Sequence, residues 1–203
     1  RAVGNLRAAQ LHAELVLFGI ECNSPEDRRD AFISLHLVGA EAEHDLVADL
    51  AQSYARWAKR KRYDVHVIHE EKLSADRSLT GAITLEISGP AAFGIFRSED
   101  GLHEFAFGKT ASLPRRLRHV SVRVIAAPNE REQQGSAQID TRSSAAKKWT
   151  GALGHSIKTR ATASLGKSKK SLTVTSPLDP EYATDAARRL LLAEANQPAR
   201  PGS

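Results

Sequence analysis

The chain has 203 residues, enough to bury a hydrophobic core of its own. Hydrophobic residues make up 41% of it and charged residues 26%, and no run of 18 apolar residues occurs, which excludes a membrane-spanning helix. The single Cys22 excludes an internal disulfide framework and favours a reducing compartment. We expect a cytoplasmic protein, or one of an organelle interior, with no cofactor and no bound metal. A start at Arg1 and the lack of Met favour a piece of a longer protein.

Positive charge is concentrated in one part of the chain. The formal net charge is +5, but residues 105–178 contain 14 Lys/Arg and only three acids. Residues 141–178 contain eight Lys/Arg and no acid. Segregation of this kind produces a one-sided field that attracts a polyanion such as nucleic acid. A solvated basic face without a partner is the alternative interpretation.

The first half of the chain predicts helix, strand, helix. Residues 5–18 show apolar positions near helical spacing, and residues 31–39 alternate as a strand does. Residues 41–62 form the clearest helix, with acids at its start and bases at its end, as the helix dipole prefers. The terminal bases Lys59 to Arg62 are explained either by that dipole or by a nucleic-acid contact.

A run of strands follows. Alternation predicts strands at 63–70, 82–89 and 120–126, with a further short strand through Phe93 and Ile95. The sum is an α+β fold, a mostly antiparallel sheet with helices packed on one face.

Beyond Pro128 the composition changes. Residues 129–154 contain few large apolar side chains and predict a linker. Strands are predicted at 155–165 and 170–176. A helix over 178–195 follows, with Asp179 at its N-cap and Pro180 at its first position, and residues 198–203 form a tail.

Three segments of the sequence, taken in their order along the chain, are informative about the family. "SPEDRRDAFISLHLVGAEAEHDLVADLAQSYARWAKRKRYDVHVI" is followed by "TLEISGPAAFGIFRSEDGLHEF" and "RRLRHVSVRVIAAP". This order resembles the codon-recognition (PCRF) domain of bacterial class I peptide chain release factors. The signature residues here are Gly94, Ser98, Glu99, Gly101, His103, Arg118, His119 and Ser121.

The resemblance implies a domain plan. Residues 1–23 are similar to the last helix of the family's helical N-terminal domain, and residues 24–128 to the α+β domain. Residues 155–197 are similar to the part that returns to complete the same domain by adding to the same sheet. The interval 129–154 then stands in place of the family's hydrolysis domain.

The hydrolysis motif itself is not present in this sequence. The family hydrolyses peptidyl-tRNA through a Gly-Gly-Gln loop, and this sequence contains no Gly-Gly dipeptide. The family's codon-reading tripeptide is not recovered in the aligned loop, residues 109–114. We therefore expect a release-factor-like protein that is not an enzyme.

The family's loop before the second His faces messenger RNA, so the resemblance implies RNA contact. Arg side chains suit phosphate through bidentate hydrogen bonds, and His119 can stack on a base. The partner we expect is the ribosome or a structured RNA, with another protein domain or chain as a further partner and no membrane. The candidate RNA-binding residues are Lys109, Thr110, Arg115, Arg116, Arg118, His119, Lys158, Arg160, Lys167, Lys169 and Lys170.

Two other functions stay open from the sequence. One is a protein-interaction module in which the basic half is incidental. The other is an RNA-cleaving enzyme that uses His103 or His119 with Glu99.

Overall fold

The structure is a computed structural model that describes residues 13, 24–39, 45–73, 79–107, 116–134, 139–166 and 170–197. Within these ranges the strands are β1 (Ala31–Val38), β2 (Asp64–Lys72), β3 (Thr80–Ser88), β4 (Gly101–Phe107), β5 (Arg116–Ala126), β6 (Ile139–Thr150), β7 (Ser156–Leu165) and β8 (Ser171–Ser176). The helices are α1 (Leu46–Arg60), α2 (Ala92–Phe96), α3 (Glu130–Gln134) and α4 (Pro180–Asn196), with 3₁₀ turns at Glu26–Arg28 and Arg97–Glu99. The helix predicted over 5–18 lies outside this description apart from Ala13, which is helical, and so does the tail 198–203.

Five strands form sheet 1, in the order β2-β3-β1-β5-β4, and all its pairings are antiparallel. The predicted α+β class with a mostly antiparallel sheet is confirmed. The central strand β1 pairs with β3 on one edge and β5 on the other, and its residues Ala31–Leu35 are buried on both faces, with Ile33 and Leu35 in one core and Phe32 in another. Sheet 1 therefore has two covered faces around its centre.

The α1 face of sheet 1 carries the larger core. Ile33 and Leu35 of β1 pack there against the buried stripe of α1, as the alternation of the strand predicts. Tyr54 of α1 meets Phe96 of α2 edge to face, with ring centroids 5.7 Å apart. These contacts hold α2 and the start of β4 in place.

The α4 face of sheet 1 is covered by the last helix. Phe32 and Ile125 share a second core with Leu190 and Leu191 of α4. Arg189 of α4 forms a bidentate ion pair with the buried Glu86 of β3. The helices thus cover both faces, α1 and α2 on one and α4 on the other.

The linker predicted at 129–154 is wrong, because this segment forms α3 and the twelve-residue strand β6. The strand is mostly exposed on both faces, so no apolar alternation marks it in the sequence. Its structure comes from backbone pairing with β7, from Ile139↔Leu165 to Thr150↔Ser156.

The final strands do not complete sheet 1. Instead, β6, β7 and β8 form a separate antiparallel sheet 2, in that order. Its inner face, with Ala161, Ala163 and Val174, packs on α4, and α4 in turn packs on sheet 1. The expectation that residues 155–197 close the same sheet is therefore corrected to a second sheet joined through a shared helix.

The short strand predicted through Phe93 and Ile95 is also wrong, because these residues lie in α2. The buried positions are Ala92, Gly94 and Phe96, and the first and last of these are four apart, as on one side of a helix. The positive φ of Ala91 turns the chain into this helix, and the Phe93 N–H donates to Arg29 O at 2.9 Å. No helix of the described residues is long and apolar enough to cross a membrane.

Candidate nucleic-acid interface

The β4–β5 hairpin positions the first basic segment. Its strands pair from Gly101↔Val122 to Phe107↔Arg116, so Arg116 lies at the paired end next to the connection. That connection, with Lys109, Thr110 and Arg115, lies outside the described residues. Arg118 is partly exposed and donates from Nη1 to Leu117 O at 3.1 Å.

His119 lies beside a carboxylate on this hairpin. Its Nε2 is 3.3 Å from Glu104 Oε2, and its side chain is 33% exposed. The two residues are direct cross-strand partners, and such pairs stabilise a hairpin. His119 therefore keeps an accessible ring edge while its position is held by Glu104.

Gly94 allows two backbones to approach each other. A Cβ at this position would lie 2.8 Å from the carbonyl oxygen of Asp27, in the turn Glu26–Arg28. Asp27 is fully buried, accepts from the Ser24 N–H at 3.0 Å and pairs with Arg97 Nη1 at 2.6 Å. This signature glycine has a packing role.

Glu99 and His103 fix the entry to β4. Glu99 Oε2 accepts from the Tyr54 hydroxyl at 2.9 Å, and burial, followed by this hydrogen bond, raises the pKa of Tyr54. His103 Nε2 is 2.8 Å from Glu99 O. These signature residues attach the start of β4 to α1.

The other signature positions carry less structure. Ser98 Oγ donates to Ile95 O at 3.4 Å, within the turn. Nothing lies within 4 Å of a Cβ placed at Gly101. Ser121 is partly buried on β5, opposite His36 of β1 and Leu102 of β4.

The structure separates the two histidines of the RNA-cleavage hypothesis. His103 is opposite Val120, which lies in the α1-face core, whereas His119 is opposite Glu104. Adjacent positions along a strand point to opposite faces, so His103 and His119 lie on opposite faces of the hairpin. Of the two, His103 contacts Glu99, through the backbone carbonyl, while the Glu99 carboxylate accepts from Tyr54.

Sheet 2 carries a second basic surface on its outer face, away from α4. Arg142 of β6 is opposite Thr162 of β7, and Arg160 of β7 is opposite Ser144 of β6. Both Arg side chains are exposed. Thr162 and Thr173 share a hydroxyl–hydroxyl hydrogen bond of 3.0 Å across β7 and β8. The outer face thus combines guanidinium groups with hydroxyls on an exposed sheet.

Lys158 lies on the same face, two residues before Arg160. Its Nζ is 2.6 Å from Asp179 Oδ1 at the start of α4. Asp179 is the N-cap residue of α4, as predicted, but its side chain caps no backbone N–H and binds Lys158 instead. Both side chains are well exposed, so this ion pair contributes little stability and its cation is available to a stronger anion.

Lys170 lies elsewhere, at the start of β8, where it lines a cleft together with Arg123 of β5. Arg118 is five residues further along β5, roughly 17 Å away at strand spacing. Lys167 and Lys169 lie outside the described residues. The predicted cations that the structure describes therefore fall into three places: the hairpin, the outer face of sheet 2 and this cleft.

Residues 6–106 match the PCRF domain family. The chain carries a release-factor-like PCRF domain. Peptide chain release factor 2 of Chloroflexus aggregans is 36% identical over 96 residues, which are 47% of this chain and 24% of that protein. Peptide chain release factor 2 of Kosmotoga olearia is 34% identical over 104 residues, 49% of this chain and 28% of that protein.

A solved structure extends the likeness beyond the PCRF domain. RF2 of Thermus thermophilus matches with a TM-score of 0.68 at 15% identity, over 98% of this chain and 63% of that chain. Sheet 2 and α4 therefore belong to the shared fold as well. The aligned region spans about a quarter of the length of the two curated relatives.

Sequence reasoning missed three residues of these surfaces. Arg142 was placed in the linker, although it lies on the outer face of sheet 2. Arg123 and Glu194 meet in the cleft only because α4 crosses β5, and no local pattern announces that contact. The one available signal was the position of Arg123 between the apolar residues Val122 and Val124.

Proposed function

We propose that this protein is a non-hydrolytic, release-factor-like protein that binds the ribosome or a structured RNA in or near translation termination, rescue or regulation. The PCRF domain and the fold shared with release factor 2 support a place in translation. The single observation that carries the proposal is the outer face of sheet 2, where Arg142 and Arg160 stand exposed among hydroxyl side chains. Guanidinium and hydroxyl groups are the donors that proteins present to phosphate and to the ribose 2′-OH.

The hairpin supplies a second contact. Arg118 and His119 are neighbours on β5 close to the hairpin connection and point to opposite faces of the hairpin, so the guanidinium suits phosphate on one face and the imidazole suits a base on the other. Two separated cationic surfaces fit an extended RNA partner better than a small anion. We assign phosphate binding to sheet 2 and base-proximal contact to the hairpin.

The proposal includes no peptidyl-tRNA hydrolysis. The sequence has no Gly-Gly dipeptide, and its one Gln-Gln-Gly run begins in α3. There Gln133 has a structural role. Its side-chain Nε2 donates to Pro128 O at 2.9 Å, and its backbone carbonyl accepts from Arg188 Nη2 at 3.0 Å. We expect no peptide release from programmed ribosomes by the purified chain, and measurable release contradicts this part of the proposal.

Ribosome co-sedimentation at two salt concentrations tests the binding. Each neutralised phosphate releases roughly 0.7 to 0.9 counterion, so binding should weaken steeply as salt rises. The double variant Arg142→Glu/Arg160→Glu should lose most of the binding and show a shallower salt dependence. The control Lys59→Glu/Arg60→Glu reverses two exposed charges at the end of α1 and should bind nearly as the parent does.

The result that overturns the assignment is the reverse pattern, with binding lost in the α1 control and kept in the sheet 2 variant. Circular dichroism should show the same fold in both, because exposed strand and helix-end charges contribute little stability. Arg118→Glu tests the hairpin in the same assay.

One observation favours a second candidate, a protein-interaction module. Val38, Leu102 and Leu117 are 48%, 63% and 44% exposed. By register they share the α4 face of sheet 1, on the part that lies towards the hairpin connection. Leu102→Ser/Leu117→Ser should leave ribosome binding unchanged under the RNA proposal, whereas loss of binding in this variant alone favours the protein module.

A further inference from the structure

A cleft of about 450 Å³ lies where α4, β5 and the start of β8 meet. Its lining residues are Arg123, Lys170, Ser171, Leu191, Glu194 and Ala195. We propose that this cleft binds the phosphate group of a nucleotide, either a free mononucleotide or one nucleotide of an RNA chain. This site goes beyond the proposed function and does not depend on it.

Arg123 is the fixed cation of the cleft. It projects from β5, opposite Ser34 of β1, and Nη2 donates to Gln197 Oε1 at 3.1 Å. The Nε atom is enclosed and has no hydrogen-bond partner among the described residues. Of the five N–H donors of a guanidinium, one binds Gln197 and the enclosed Nε is out of reach of a ligand, which leaves up to three donors on the Nη atoms for an acceptor such as phosphate.

Lys170 and Ser171 come from the opposite wall. Both are exposed, and they sit where β8 begins, held by the Leu165 N–H to Lys170 O hydrogen bond of 2.9 Å. The ammonium and the hydroxyl add donors to those of Arg123. Arg123 and Lys170 thus reach one cleft from separate elements. Together they attract a phosphate more strongly than either cation would alone.

The other wall points to a nucleotide rather than a bare anion. Glu194 brings a carboxylate, which repels free phosphate but accepts hydrogen bonds from a ribose 2′-OH. Ala195 adds a small apolar surface beside the sugar position, next to Leu191, which is itself buried in the core under α4. His36 lies within electrostatic reach of both Glu194 and Arg123. The cleft thus offers separate places for a phosphate and a sugar hydroxyl.

NMR titration of the full chain with five probes tests the site. These are inorganic phosphate, AMP, 2′-deoxy-AMP, adenosine and a six-nucleotide oligo(A) RNA with no terminal phosphate. AMP should shift the amides of Lys170, Ser171 and Glu194, and adenosine should not. The oligonucleotide separates the two sources, since tighter binding than AMP assigns the cleft to an RNA chain and weaker binding assigns it to a free nucleotide.

Two variants give opposite expectations. Lys170→Glu should weaken AMP binding roughly tenfold or more, because a charge-assisted hydrogen bond is lost and a repulsion is added. Glu194→Ala should bind inorganic phosphate more tightly than the parent and should lose the preference of AMP over 2′-deoxy-AMP. Lys59→Glu, with its charge on α1, is the matched control and should leave every affinity unchanged.

The proposal is overturned if adenosine shifts the cleft amides as strongly as AMP, or if no probe shifts them at millimolar concentration. It is equally overturned if Lys170→Glu and Lys59→Glu have the same effect. Ribosome co-sedimentation of Glu194→Ala distinguishes failure of this site from failure of the proposed function, because the variant keeps the exposed cations of sheet 2 and the hairpin. Failure of the cleft with retained ribosome binding concerns this site alone.

Discussion

Gly94 lies where α2 passes the turn Glu26–Arg28, and a Cβ there would come within 2.8 Å of Asp27 O and 3.1 Å of Asp27 Cβ. Two effects compete in Gly94→Ala. Alanine gains about 1 kcal/mol of helix propensity over glycine. Forcing a methyl group against backbone costs about 1 to 3 kcal/mol, because the partner is an atom that cannot rotate away.

We expect the clash to outweigh the gain in propensity, so Gly94→Ala should lower the free energy of unfolding by up to about 2 kcal/mol in urea titration. Gly101→Ala is the control, since the space around Gly101 is open and its φ is not in the left-handed region. Equal stability of the two variants would show that α2 moves freely away from the turn.

Strand β6 can be tested as an element. An edge strand donates alternate amides to its neighbour and points the others to solvent. Hydrogen exchange across Ile139–Ala145, the part in unbroken register with β7, should therefore alternate between slow and fast amides. Uniformly fast exchange over this stretch would show that the segment is a linker after all.

The sequence predicts elements that carry their own apolar pattern. Ile33 and Leu35 identify β1, and the stripe of Leu46, Leu50 and Tyr54 identifies α1. It does not predict β6, because an exposed strand has no such pattern and depends on pairing with a strand that follows it. The alternation of Phe93 and Ile95 wrongly predicted a strand for a related reason. The helix α2 is stabilised by contacts with Asp27 and Arg29, which are far away in the chain.

The cationic surfaces also divide into those that a local sequence pattern predicts and those that depend on tertiary contacts. Lys158 and Arg160 alternate along β7, so their common face was readable once that strand was predicted. The proximity of Arg123 and Lys170 could not be predicted from the sequence, because it requires α4 to hold sheet 2 against sheet 1. Charge count therefore located the basic half of the chain without showing which cations share a site.

At the scale of the whole molecule, one largely buried histidine, with a side chain 16% exposed, connects the two sheets. His69 of β2 accepts through Nδ1 from the Thr175 N–H of β8 at 3.0 Å. Ser176 Oγ donates to Val67 O at 3.2 Å beside it. Burial, with a smaller contribution from His36, lowers the pKa of His69 to about 4. Nδ1 must be unprotonated to accept, so the neutral ring is the form that joins the sheets.

This connection predicts a pH dependence of stability. The folded pKa of about 4 lies below the unfolded value of 6.5, so the contribution is fully present above pH 6.5. It is lost as the pH falls from there towards 4, by about 3 kcal/mol at pH 4. His69→Asn keeps an acceptor near the Nδ1 position and does not titrate. Urea unfolding at pH 7.5 and pH 4 should therefore show a loss about 3 kcal/mol larger in the parent than in His69→Asn, since the other titrating groups are common to both. Equal losses would mean that His69 titrates alike in the folded and unfolded chains, and that the junction of the sheets does not depend on its neutral form.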